Sequence, residues 1–255
     1  MKKWQLALNK FLADWKKKDY VLGAILTGSY ATGLANKYSD IDVQIIFSNK
    51  YKWRERGNVK VDGFLIEYFA NPICQFEKYL QQNFRLNIKT DANMYKTGKI
   101  LFDKDGSVKK LRNKGLRYYS KEFAAPKKYA LEMMKYTIWD YLDNLKSLAS
   151  EKSDNFNLSY YILLDKVLNN YGKFLRVQVL PNAKIVRLFT DSKFRRAYGI
   201  SGFPDKVFIK LFLDCLLFKS QKQGLEKIQK LANYALKKMG GFNINDWKLK
   251  RPIEI

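Results

Sequence analysis

The chain contains no histidine in 255 residues. That absence excludes a Ser-His-Asp or Cys-His nucleophilic site, zinc sites built on histidine, and every step that passes a proton through an imidazole. An enzyme made from this chain must work with carboxylates, hydroxyls, lysines or a hard metal ion. Cysteine is almost as scarce: Cys74 and Cys215 stand far apart, with no Cys-x-x-Cys spacing. Two reduced, buried thiols are therefore expected rather than a disulfide framework. No apolar run reaches the roughly 18–20 residues of a membrane span. The first fifteen residues are amphipathic and lack the apolar stretch of a secretory signal. The expected location is the cytoplasm, with no membrane partner.

Acidic residues are outnumbered: Asp+Glu is 24 against Lys+Arg 48, a formal net charge of +24. The lysines are spread along the whole chain and arginine is scarce beside them. Arginine is the preferred bidentate reader of phosphates and guanine edges, so its scarcity argues against a sequence-specific nucleic-acid partner. A general positive field would still steer a polyanionic nucleotide toward a cleft. With 47% hydrophobic and 28% charged residues, the composition is that of a folded globular chain, long enough for two cores.

The spacing of Trp4, Leu8, Phe11 and Trp15 predicts a helix over residues 3–18, closed by Lys16-Lys17-Lys18. Strands are predicted over Val21–Thr27, Asp40–Phe47, Val61–Phe69 and Lys99–Asp103, the last before the Asp105-Gly106 turn. From about residue 127 the period becomes helical. Leu131, Met134, Ile138, Tyr141, Leu145 and Leu148 form one stripe, and Tyr161, Leu164, Leu168, Tyr171 and Leu175 another. Phe208, Leu211, Cys215 and Phe218 continue the pattern. Leu225, Ile228, Leu231 and Leu236 end it, with Gly240-Gly241 as a C-cap. The expected fold is α+β: an N-terminal mixed sheet with flanking helices over residues 1–124, then an all-α helical bundle over 125–255, with Ala124-Ala125-Pro126 as the boundary.

The chemistry is concentrated in Gly28-Ser29, ten residues (30–39) that end in Ser39, and Asp40-Ile41-Asp42. Side chains alternate across a strand, so Asp40 and Asp42 share one face while Ile41 and Val43 point to the other. Adjacent carboxylates on an apolar sheet repel one another unless a cation lies between them. Oxygen ligands without imidazole or thiolate select Mg2+. At the end of the preceding strand, Gly28 lets backbone N–H groups approach a phosphate and Ser29 adds a hydroxyl donor. Glu67, in the apolar run Phe64–Tyr68, is the natural third carboxylate. A one-residue slip of register would put Asp62 in its place.

This segment resembles the nucleotidyltransferase superfamily with the DNA polymerase beta-like fold, whose signature is Gly-Ser followed by Asp-x-Asp/Glu. The spacing is similar to that of the minimal and the antibiotic (aminoglycoside and lincosamide) nucleotidyltransferases. The likeness is specific over residues 21–47 and loose over 61–106, with Ile100–Gly106 as a closing strand and turn. The resemblance implies that Asp40, Asp42 and Glu67 are the catalytic, metal-holding set. It also implies that Gly28, Ser29 and Ser39 bind the nucleotide and that Glu67 accepts the proton of the acceptor. The implied reaction is attack of a hydroxyl on the α-phosphorus of ATP or another NTP, with Mg2+ as cofactor and pyrophosphate released. The implied partners are the nucleoside triphosphate and a small hydroxyl-bearing acceptor, possible antibiotics among them. Two alternatives stay open: a protein- or RNA-directed transferase of a toxin–antitoxin type system, and a non-catalytic nucleotide-binding module.

Weaker candidates lie elsewhere. Asp140, on the first bundle helix, could hold a cationic acceptor, although a solvated helix face is the simpler reading. Tyr118-Tyr119 and Tyr160-Tyr161 could stack on a ring, although core packing suits one of each pair. The basic run Lys193-Phe194-Arg195-Arg196 reads as a solvated loop.

Overall fold

The computed structural model describes residues 1–245, 247–251 and 253. The expected bundle range 125–255 therefore includes four residues (246, 252, 254 and 255) outside the described ones.

In chain order the first elements are α1 (Lys3–Lys17), β1 (Val21–Leu26), α2 (Gly28–Thr32), β2 (Ile41–Phe47), β3 (Glu55–Val61) and β4 (Phe64–Pro72). Next come α3 (Ile73–Arg85), α4 (Thr90–Thr97), β5 (Lys99–Asp103) and α5 (Ser107–Ser120). The remaining elements are α6 (Lys128–Ser150), α7 (Phe156–Phe174), α8 (Asn182–Thr190), α9 (Ser192–Tyr198), α10 (Lys206–Asp214) and α11 (Gln221–Lys238). The architecture is α+β, and by its contacts the chain divides into two compact units. One comprises Met1–Lys121 with Asp191–Ser201, the other Glu122–Thr190 with Gly202–Ile255.

The first unit is built on a five-stranded mixed sheet of order β3-β4-β2-β1-β5. Within it β2 and β4 pair parallel, while β1–β2, β1–β5 and β3–β4 pair antiparallel. Strict alternation on β2 sends Ile41, Val43, Ile45 and Phe47 to the face covered by Leu8, Leu12 and Trp15 of α1. Burying such side chains supplies about 1.5–3 kcal/mol each relative to leaving them in water. The opposite face packs Ile25 and Ile46 against Phe76 and Leu80 of α3, Tyr95 of α4 and Leu111 of α5. Asp42 and Glu67 project on that second face, in register with one another across the parallel pair.

One predicted strand is split. Val61–Phe69 was expected as a single run, but Asp62 and Gly63 carry φ of +48° and +82°. The chain turns back there, and β3 pairs antiparallel with β4. Two consecutive left-handed residues make the tight hairpin turn whose twist suits the strands, and an Asp-Gly dipeptide is its usual chemistry. The sequence pattern passed over β3 because most of it is exposed, which is how an edge strand reads.

In the second unit the buried helix faces follow the predicted stripes, with Ile138, Leu145, Leu164, Leu168, Tyr171, Phe208, Ile228 and Leu231 all in the core. Tyr161 is an exception at 48% exposure; Tyr160 is the buried member of that pair, and its hydroxyl donates to the Cys215 carbonyl. The last helix closes as expected, Gly241 N–H donating to the Leu236 carbonyl. Both cysteines are free, but only Cys215 is buried, and Cys74 is exposed near the start of α3. Burial pushes the Cys215 thiol up to about 11. The basic run at 193–196 is no loop. It lies within α9, whose Phe194 is buried and whose N-terminus is capped by the Asp191 carboxylate.

Candidate active site

The site is built on three segments of the first unit. β1 ends at Leu26, and Thr27 N–H donates to the Asp42 carbonyl at 2.9 Å, holding the start of α2 beside β2. Gly28 adopts φ +66°, a region that side chains with a Cβ rarely occupy. A Cβ placed on it would lie 2.7 Å from the Asp42 Cγ and closer still to Oδ2. Glycine is required here on two counts, backbone conformation and space. α2 then runs for five residues and closes on Gly33, with the Thr32 hydroxyl donating to the Gly28 carbonyl. Ser29 is half-buried in its first turn.

Asp40 lies just before β2 and Asp42 is its second residue, and Ile41 between them is fully buried on the other face. β4 brings Glu67 opposite Asp42. Asp40, Asp42 and Glu67 each place a carboxylate oxygen within 4.8 Å of the others, and all three are half-buried. Five of the six sequence-derived candidates thus lie on β2 and β4, just before β2, or at the start of α2. The sixth, Ser39, sits in the approach to Asp40, where its hydroxyl accepts from the Asn36 N–H. The alternative third acid, Asp62, is in the hairpin turn and pairs with Lys10 of α1 at 2.7 Å.

The sequence reading missed Arg56. It lies on β3, and its guanidinium donates to Glu67 Oε1 at 2.7 Å while resting 4.6 Å from the centre of the Phe69 ring. Glu67 therefore has a cationic partner already, which answers the cost of an ionised residue in an apolar strand. Beyond Arg56 the same sheet face opens into a cavity of about 500 Å3, floored by Gln44 and Asn71 and walled by α3 and α4. One sequence signal could have found it. Polar residues recur on one face of otherwise apolar strands, Asp42 and Gln44 on β2 and Glu67 and Asn71 on β4.

The weaker candidates have structural partners. Tyr119 donates to the Gly199 carbonyl, and Tyr118 packs edge-on to Phe84. Asp140 is half-buried on α6, with the Tyr136 hydroxyl 3.5 Å away. Among the described residues no helix is long and apolar enough to cross a membrane.

Residues 8–98 match the family model of the nucleotidyltransferase domain. That span begins in α1, ends just before β5 and contains all six candidates. No curated protein matches the chain. A crystal structure of a nucleotidyltransferase-like protein from Exiguobacterium sibiricum 255-15 is similar at 12% identity and a TM-score of 0.44, over 92% of this chain and 75% of that one.

Proposed function

We propose that the chain is a Mg2+-dependent nucleotidyltransferase of the cytoplasm. It moves a nucleoside monophosphate, from ATP in the first instance, onto a hydroxyl of a small molecule and releases pyrophosphate. The observation that carries this reading is the convergence of Asp40, Asp42 and Glu67 beside Gly28-Ser29, inside the stretch that matches the nucleotidyltransferase domain. Three carboxylates with no nitrogen or sulfur ligand suit a hard divalent cation. Asp40 and Asp42 would hold it, with Glu67 as the third ligand. When bound, Mg2+ neutralises charge on the phosphates and on the attacking and leaving oxygens.

The chain's own residues supply the rest. Backbone N–H groups at Gly28 and the Ser29 hydroxyl bind the β- and γ-phosphates, and Ser39 shapes the loop that leads into Asp40. Glu67 accepts the proton of the acceptor hydroxyl as its oxygen bonds to the α-phosphorus and the bond to pyrophosphate breaks. Arg56, which pairs with Glu67, gives up that carboxylate when the metal takes it. No imidazole is needed at any step, so a chain without histidine remains chemically complete. Hydroxyl-bearing antibiotics are one acceptor class to be tried, and neutral ones suit a protein of +24 net charge better than cationic ones.

The test is mass-detected transfer of a nucleoside monophosphate by the purified chain with Mg2+ and each NTP. The acceptor panel includes aminoglycosides, lincosamides and neutral hydroxyl compounds. Product is expected with the native chain and absent with Asp40→Asn. No antibiotic product, with unchanged antibiotic tolerance in expressing cells, rules out the antibiotic role alone. ATP binding that is indifferent to Mg2+ and to Asp40→Asn rules out the enzyme.

A further inference from the structure

The cavity beyond Arg56 has its own chemistry. Gln44 and Asn71 lie on neighbouring parallel strands, are 7% and 5% exposed, and line the cavity floor. Neither side chain makes a hydrogen bond within the described residues. Their amides open onto the cavity rather than being sealed in, so a ligand that displaces water from them must replace both donor and acceptor bonds. Each amide offers both a donor and an acceptor. A phosphate or carboxylate would satisfy only the donors and an ammonium only the acceptors. A hydroxyl satisfies both.

The charged groups of the walls are already engaged. Arg54 donates to the Tyr79 hydroxyl at 2.8 Å, and Arg56 is held by Glu67. Glu55 accepts from the Tyr68 hydroxyl, and Asp91 accepts from the Asn83 amide at 2.7 Å. Among the lining residues Arg54 and Arg56 balance Glu55 and Asp91, so the walls carry no net charge that would favour an anion or a cation. Their apolar part is aromatic, with Phe69, Phe76 and Tyr79 among the lining residues. A volume of about 500 Å3 suits a ligand of one or two rings.

Position supplies the last element. In-line displacement puts the attacking and leaving oxygens on opposite sides of phosphorus. With pyrophosphate leaving at α2, beside β1, the attacking hydroxyl comes from the β4 side, where Glu67 and the cavity lie. We propose that this cavity is the acceptor pocket and that it takes a neutral, polyhydroxylated ring of the saccharide type. Its hydroxyls meet Gln44 and Asn71 and its apolar face lies on the aromatic wall. This rests on the transferase reading for its role in catalysis, but not for binding itself.

The experiment separates the two. Saturation-transfer NMR in EDTA, without nucleotide, reads binding to the full chain of neutral sugars (glucose, galactose, ribose, sucrose and trehalose). Glucose 6-phosphate, glucosamine and uridine serve as charged and nucleobase counterparts. At least one neutral sugar is expected to bind tenfold or more tighter than its charged counterparts and than uridine. Asn71→Leu should weaken it at least tenfold. Tyr79→Ala, at a half-buried position, serves as the second variant should Asn71→Leu not fold. No binding of any neutral sugar, tighter binding of a counterpart, or binding indifferent to the variants overturns the pocket assignment. Sugar binding that behaves as expected, without any product on adding Mg2+ and NTP, overturns the transferase reading and leaves the pocket standing.

Discussion

The α-carbon of Gly28 is packed against the carboxylate of Asp42, so closely that a Cβ there would overlap its Oδ2. The turn that carries the phosphate-binding candidates and the strand that carries the acids are therefore a single steric unit. Gly33, at the other end of α2, has φ +76° but nothing within 4 Å of the position a Cβ would take. Comparing the two separates space from backbone conformation. Gly33→Ala should cost about 1–2 kcal/mol, the penalty of a left-handed residue. Gly28→Ala should cost more and displace Asp42. Denaturant unfolding and Mg2+ titration of both variants measure this. Equal losses in the two would show that the Asp42 contact carries no weight.

Arg56 holds Glu67 in the position a third metal ligand would use. The arginine is 67% exposed, so the pair is worth only about 0.2–1 kcal/mol after solvent screening. Arg56→Met should raise divalent-cation affinity by up to about fivefold, since every 1.4 kcal/mol is tenfold. Mn2+ titration followed by electron paramagnetic resonance reads this directly. A fall in affinity would mean that the guanidinium orients Glu67 rather than competing for it.

Asp62 lies in the hairpin turn, paired with Lys10 on the surface. Asp62→Asn keeps a residue tolerant of left-handed φ and removes only a screened pair worth about 0–1 kcal/mol. Transfer rate and unfolding midpoint should both stay close to those of the native chain. Loss of transfer with the fold intact would return Asp62 to the catalytic set.

Burial raises the Asp91 carboxyl above its ordinary value of 3.8. The native state therefore binds this proton more tightly than the unfolded chain does. The stabilising contribution is complete below the ordinary value and is lost as pH rises through the raised native one. Asp91→Asn does not titrate and keeps an oxygen to accept from Asn83. Its melting temperature should exceed that of the native chain at pH 7, with the gap closing as pH falls below about 4. A gap independent of pH would assign the effect to packing.

Much of the candidate site is legible in local pattern. Gly28-Ser29 and Asp40-x-Asp42 are close in sequence, and alternation along one strand is enough to put the two aspartates on a common face. Glu67 required a further inference, that a third acid comes from a neighbouring strand, and only the turn shows that its competitor Asp62 lies away from the two aspartates, beside Lys10. Arg56 and the cavity were out of reach for another reason. β3 is a polar edge strand with no burial pattern to announce it, and a pocket is a property of elements brought together from distant parts of the chain.

By itself, then, the sequence determined the α+β class, the two-aspartate face, the glycine turn before it and the exclusion of imidazole chemistry. Each of these depends on residue type and on spacing within a few positions. The tertiary structure decided which strand lies beside β2, and with it which carboxylate comes close to the two aspartates, the arginine that pairs with it and the amides that floor the cavity next door. Strand order and pairing are set by the packing of both sheet faces at once, by α1 on one side and α3, α4 and α5 on the other. No local window contains that information.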